Sequence, residues 1–173
     1  MNTKKLSDLH LAILEIAQDF DEFCKKNDII YYLMGGSALG AMRHKGFIPW
    51  DDDFDVFMDS ANYAKFISIA KKNLDINKYY LQEEDTDEWP LFFSKIRMNN
   101  TTFIEQDVAH LNMHHGIYID IMCLNNAFHN KPLRFLQYLS AKTLSASVLG
   151  KRGYTTNSIA IWRAAVPLTV AIA

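Results

Sequence analysis

Four aspartates fall within five residues, at Asp51, Asp52, Asp53 and Asp55, and the apolar run Val56-Phe57-Met58 follows at once. Carboxylates packed this closely repel one another, so a fold can keep them only in open water or beside a compensating cation. If Phe54 to Met58 is a strand, side chains alternate faces, and Asp53 and Asp55 point one way while Phe54 points the other. Mg²⁺ suits that position, with Mn²⁺ as the alternative, because it takes hard oxygen ligands from one or two carboxylates plus substrate phosphates. The competing reading is a solvated acidic turn with Asp51 as a cap. Strand-like sequence on both sides favours the metal.

A second carboxylate, Asp120, stands alone in the run Gly116-Ile-Tyr-Ile-Asp-Ile-Met122. Burying it between isoleucines is costly unless a metal or a partner such as Lys95 or Arg97 compensates it. If the two strands lie side by side, Asp53, Asp55 and Asp120 converge. Such a trio can hold two metal ions, or hold one and activate an attacking hydroxyl.

Gly35-Gly36-Ser37 lies between an apolar run and a short helical pattern. Glycines allow close backbone approach, and a helix N-terminus offers unpaired N–H groups to an anion. Arg43-His44-Lys45-Gly46 is a cationic cluster whose Arg and Lys can neutralise phosphate oxygens, with His44 as a donor or a helix end. Phe47-Ile48-Pro49-Trp50 is read as a rigid packed loop that aims the acidic run, with Trp50 in the core. Lys95 and Arg97 share a strand face and either reach phosphate or pair with Asp120. His114-His115 are read as an exposed loop pair, with a substrate-facing role as the alternative.

Periodicity gives the frame. Leu9, Ile13, Ile16, Phe20 and Phe23 mark an amphipathic helix over residues 7–26, with Ser7 as N-cap. Strands are expected at 29–34, 54–58, 79–82, 91–98, 101–105 and 116–122, with Asn99-Asn100 as a hairpin turn. Ser60 should cap a helix through Lys72, and helices should follow Pro132, with a break at 150–153. The fold class is α+β: a mixed sheet flanked by helices, with a catalytic domain over 1–130 and a truncated helical extension over 131–173.

With 18 Lys and Arg against 20 Asp and Glu, the net charge of −2 argues against a protein that coats a nucleic acid polymer. Cys24 and Cys123 form no CxxC pair and are read as two buried free thiols. The N-terminus lacks the apolar core of a signal peptide, which fits a reducing cytoplasm. The apolar stretch from Arg163 to Ala173 is too short to span a bilayer, which needs about 20 residues. It is read as a buried helix near a truncated edge, with a membrane-associated segment as the alternative.

The block from Gly35-Gly36-Ser37 through Arg43-His44-Lys45-Gly46 to Asp51-Asp52-Asp53-Phe-Asp55 resembles the signature of the LicD family. His115-Gly-Ile-Tyr-Ile-Asp120-Ile fits that family's next motif, and the match runs from about Leu9 to Leu124. The resemblance implies a nucleotidyltransferase fold of the polymerase-beta-like kind and a metal-dependent transferase. Such a transferase moves a phosphate-linked group from a CDP-activated donor, such as CDP-choline, to a sugar hydroxyl of a cell-surface glycan, including lipopolysaccharide or teichoic acid. The related fukutin-type proteins use CDP-ribitol. By resemblance, Asp53 and Asp55 bind Mg²⁺, Asp120 is the third carboxylate, and Gly36, Ser37, Arg43 and Lys45 contact the donor phosphates. The chain departs from the family at Met122-Cys-Leu-Asn125-Asn126, where members have a Phe-Pro-Leu-Asp-like run, and members are usually longer. Two alternatives remain beside phosphocholine transfer: nucleoside monophosphate transfer to a small hydroxyl compound, and non-catalytic nucleotide binding. An aromatic cage for choline has many candidate walls, among them Trp50, Tyr32, Tyr80, Trp89 and Tyr118.

Overall fold

The computed structural model describes residues 3–151. The elements run α1 (Thr3–Lys26), β1 (Tyr32–Leu33), α2 (Gly35–His44), β2 (Asp55–Asp59), α3 (Ser60–Asn73), β3 (Tyr79–Gln82), β4 (Phe93–Met98), a single 3₁₀ turn (Gln106–Val108), β5 (Tyr118–Leu124) and α4 (Lys131–Lys151). Five strands form one mixed sheet in the order β1-β2-β5-β4-β3. Only β2 and β5 pair in parallel; the other three pairings are antiparallel. The α+β class expected from the sequence is what forms.

Strand alternation divides the sheet into two unlike faces. Val56, Met58, Ile96, Ile119 and Ile121 point to one side and join Leu9, Ile13, Ile16 and Phe20 of α1 and Phe66 and Ala70 of α3 in a single core. The other side carries Asp55, Asp120, Lys95, Gln82, Arg97 and Tyr118. Loops between β3 and β4 and between β4 and β5 line that second face, through Trp89, Glu105 and His114.

Several local expectations are corrected. Ser7 lies inside α1, which starts at Thr3, and the cap of α3 is Asp59, whose carboxylate accepts from Asn62 N at 2.8 Å. Strand β2 starts at Asp55, so alternation along a strand does not orient Asp53. Residues 101–105 are not a strand. The Asn99-Asn100 turn does form, with Asn100 at φ 59°, but β4 takes β5 as its neighbour instead. The competing pull is the long-range register between β4 and β5, which outweighs the local hairpin signal. Both cysteines are free thiols; Cys24 is buried and Cys123 half-buried.

The chain divides into two compact units, up to Asn125 and from Asn126. In the second, Gln137 reaches back from α4 to accept from Phe128 N and donate to Asn126 O, while Asn130 Oδ1 accepts from Leu133 N. Helix α4 continues through Gly150 to Lys151; the rest of the expected break, and the stretch from Arg163, lie outside the described residues. Among the described residues, no helix is long and apolar enough to cross a membrane.

Candidate functional site

Register builds the centre of the site. Asp55 on β2 is the Cα partner of Asp120 on β5, Asp120 of Lys95 on β4, and Lys95 of Gln82 on β3. One row across four strands therefore reads Asp, Asp, Lys, Gln on the polar face. Asp120 N also donates to Phe54 O at 2.9 Å, extending the parallel pairing by one bond towards Asp53.

The acidic run closes on this row from the N-terminal side. Asp51, Asp52 and Asp53 bring carboxylate oxygens within 4.8 Å of one another. Burial, followed by the charges of Asp55, Asp51 and Asp52, pushes the Asp53 carboxyl up to about 6. Burial also raises Asp55, against the pull of Lys95, and raises Asp120 against the same lysine. A site that holds this many carboxylates above their ordinary range is short of positive charge.

Helix α2 presents its N-terminus to that cluster. Gly35 has φ 52°, a left-handed conformation that favours glycine, and a Cβ there would lie 3.7 Å from Asp55 Oδ2. A Cβ on Gly36 would stand 2.4 Å from Asp51 Oδ2. Ser37 is buried, and its Oγ accepts from Asp55 N at 2.8 Å, so it ties the helix to the start of β2. Met34 N donates to Asp55 O at 3.0 Å and adds a second tie.

Arg43, His44 and Lys45 are exposed at the opposite end of α2. At ~1.5 Å per residue, α2 places Arg43 and His44 about 10–14 Å along the axis from the glycines. Lys45 caps the helix in a left-handed conformation, φ 54°, its N–H reaching Gly40 O.

Lys95 is 1% exposed, with its ammonium 2.9 Å from Asp120 Oδ1 and 3.4 Å from Glu105 Oε2. The Lys95 ammonium is the partner of Asp120 Oδ1, and no other group donates to that oxygen among the described residues. Arg97 is also buried, donating from Nε to Gln82 Oε1 at 2.7 Å and from Nη1 to Gly116 O at 2.9 Å. Both cations lie against the Tyr118 ring, Lys95 Nζ at 3.3 Å and Arg97 Cζ at 4.7 Å from its centroid.

The histidine pair is half-buried and bonded rather than exposed. His114 stacks on Tyr80 with centroids 5.1 Å apart, and its N donates to Glu88 Oε1. His115 Nε2 lies 3.2 Å from Leu111 O. Trp50 is 75% exposed beside the acidic run instead of packing in the core, while Trp89 and Tyr118 are buried.

Two contributors escaped the sequence reading. His10 on α1 approaches Asp51 O at 2.6 Å and stacks on Phe47 at 4.4 Å, fixing the loop that leads into the aspartates. Glu105 is the second carboxylate on Lys95. A histidine set in the apolar stripe of α1 was the available signal for His10; nothing local marks Glu105.

The donor set suits a hard divalent cation: carboxylate oxygens clustered at Asp51, Asp52 and Asp53, and carboxyl groups raised by burial at Asp53, Asp55 and Asp120. Residues 28–143 match the family model described as the LicD/FKTN/FKRP nucleotidyltransferase domain. The chain belongs to the LicD family. Among relatives, it is 44% identical over 69 residues to a Haemophilus influenzae protein named lipopolysaccharide cholinephosphotransferase LicD, covering 40% of this chain and 26% of that one. It is also 44% identical over 46 residues to uncharacterised proteins of Rickettsia prowazekii and Rickettsia typhi, covering 27% of this chain and 17% and 15% of theirs. The matched segments thus span about a quarter or less of these relatives' lengths. The LicD-family domain takes in the glycine turn, the acidic run, Lys95 and Asp120 alike.

Proposed function

We propose that this chain belongs to a metal-dependent phosphotransferase that moves phosphocholine from CDP-choline to a sugar hydroxyl of a cell-surface glycan such as lipopolysaccharide. The observation that carries this reading is the Asp55–Asp120 register pair, closed by Asp51–Asp53 and faced by the N-terminus of α2, within a LicD-family domain. The name of the Haemophilus relative supports the transferred group and the acceptor.

Asp53, Asp55 and Asp120, with Asp51 adjoining, would hold Mg²⁺ or Mn²⁺, which supplies positive charge against the donor's pyrophosphate. The backbone N–H groups at Gly35 and Gly36 bind a donor phosphate, where the helix dipole favours an anion. Ser37 keeps that helix end in place against β2. Arg43, His44 and Lys45 meet a part of the ligand remote from the glycine turn. Trp50 offers an open ring for the base or the trimethylammonium group.

Nucleotidyl transfer is the second reading, favoured by the domain's nucleotidyltransferase description. The products separate the two, since phosphocholine transfer releases CMP and nucleotidyl transfer releases pyrophosphate. From Asn126 to Ala173 the chain has six Lys and Arg and no Asp or Glu, which supports a place at the inner, anionic face of a membrane.

Calorimetric titration with CDP-choline, CDP-ribitol, CDP-glycerol, CTP and ATP, each with and without Mg²⁺, tests the reading. Mg²⁺-dependent binding of CDP-choline, lost in Asp55→Asn, is expected. Preference for CTP or ATP would favour nucleotidyl transfer, and metal-independent binding would overturn the metal assignment.

A further inference from the structure

Lys95 has the side chain of a phosphate ligand and the surroundings of something else. Its ammonium is enclosed by the Tyr118 ring at 3.3 Å, the Trp89 ring at 5.1 Å and the Phe93 ring at 5.4 Å from their centroids. The remaining space holds two carboxylates, Asp120 at 2.9 Å and Glu105 at 3.4 Å. A phosphate reaching Nζ would have to displace an aromatic wall and sit against both carboxylates, an arrangement that like charges oppose.

The backbone dictates this placement. Lys95 and Asp120 are Cα partners on neighbouring strands, so their side chains rise from the same face at the spacing of a cross-strand pair. Asp120 in turn depends on the lysine, since its buried Oδ1 has no other donor among the described residues. The ion pair is what holds that oxygen. The Asp120 side chain keeps 11% of its surface open, against 1% for Lys95, so of the two groups only the carboxylate can meet a ligand.

We infer that Lys95 is a positioning residue: it fixes the Asp120 carboxylate for a divalent cation and does not touch the donor. This rests on the proposed role of Asp120 as a metal ligand. Outer partners of metal ligands commonly govern affinity by 10–100-fold when removed. The aromatic enclosure shields the ion pair, while Arg97 is held apart from it by its bonds to Gln82 and Gly116 O.

The test is calorimetric titration of the chain with Mn²⁺, then with CDP-choline at saturating Mn²⁺. Lys95→Met, a neutral near-isostere, should weaken Mn²⁺ binding about 10–100-fold, and Lys95→Gln should do the same should the methionine variant fail to fold. Once metal is saturating, donor affinity should stay within about threefold of wild type. In an Asp120→Asn background, Lys95→Met should add no further loss of Mn²⁺ affinity, because the two act as one unit. Arg97→Met, which removes the other buried cation, should lower the unfolding midpoint yet leave Mn²⁺ affinity unchanged. Unchanged Mn²⁺ affinity in Lys95→Met with weakened donor binding would make Lys95 a phosphate ligand and overturn the inference alone. Wild-type Mn²⁺ binding that survives Asp120→Asn would overturn the parent reading, and this inference with it.

Discussion

On one face of the sheet, Val56, Met58, Ile96, Ile119 and Ile121 are sealed under α1 and α3; on the other, the same strands present Asp55, Asp120, Lys95 and Gln82 in a single row. Alternation alone separates the two, one residue apart at every step. The apolar face gains stability from burial, about 1.5–3 kcal/mol for each large aliphatic side chain. The polar face buries charge, which usually breaks even at best against an apolar replacement. A chain selected for stability alone would have no use for that row. One face holds the fold and the other carries the candidate site, so substitutions on the two faces are expected to act separately.

The largest effect should come from Asp55→Asn. Transfer activity is expected to fall about 10²–10³-fold, on the scale of losing one preorganised electrostatic contributor, with a thermal midpoint at or above wild type. Turnover by product release measures the first and calorimetric unfolding the second. The mirror experiment is Ile119→Ala on the apolar face, where the side chain is fully buried. It should cost about 2–5 kcal/mol in denaturant unfolding while Mn²⁺ affinity of the folded fraction holds. Coupled loss of both would show that the faces are not separable.

Gly36→Ala is a finer probe, because its Cβ would press on Asp51 Oδ2 at 2.4 Å. The carboxylate must swing away, so Mn²⁺ affinity should drop about tenfold, the lower end expected for disturbing a metal site's support, with little change in unfolding midpoint. An unaffected affinity would remove Asp51 from the site.

The smallest effect is in pH. Burial and neighbouring charge raise Asp53 from 3.8 to about 6 in the folded state, so the folded chain holds that proton more tightly than the unfolded one. The associated stability is present at low pH and fades as pH rises through that window. In chelator, wild type should therefore lose stability relative to Asp53→Asn between about pH 4 and pH 7, measured as the gap in urea midpoints. A constant gap would mean that Asp53 is not crowded by its neighbours.

How far the sequence reached follows the same division. The apolar stripe of α1, strand Tyr79–Gln82 and the candidate carboxylates were readable because periodicity and charge are local properties of the chain. The hairpin expected after Asn99-Asn100 does not form because β4 pairs instead with β5, whose residues lie far along the sequence. Ser60 was taken for a cap when Asp59 before it performs that role, a one-residue slip between two good capping types. Glu105 carries no local mark, and His10 is marked only as a histidine within an apolar stripe; each matters through contacts made only in the folded chain. Trp50 was assigned to the core by residue type, yet it stands in the open beside the aspartates.

Strand β5 sits in the middle of the sheet, between β2 and β4, yet it is the last of the described strands in chain order. During synthesis, β2 and β4 emerge first and wait with their facing edges unpaired. Such edges invite pairing with other chains and are blunted only when the missing strand arrives. The carboxylate pair is completed by that same insertion. One strand therefore both closes the gap in the sheet and sets Asp120 beside Asp55.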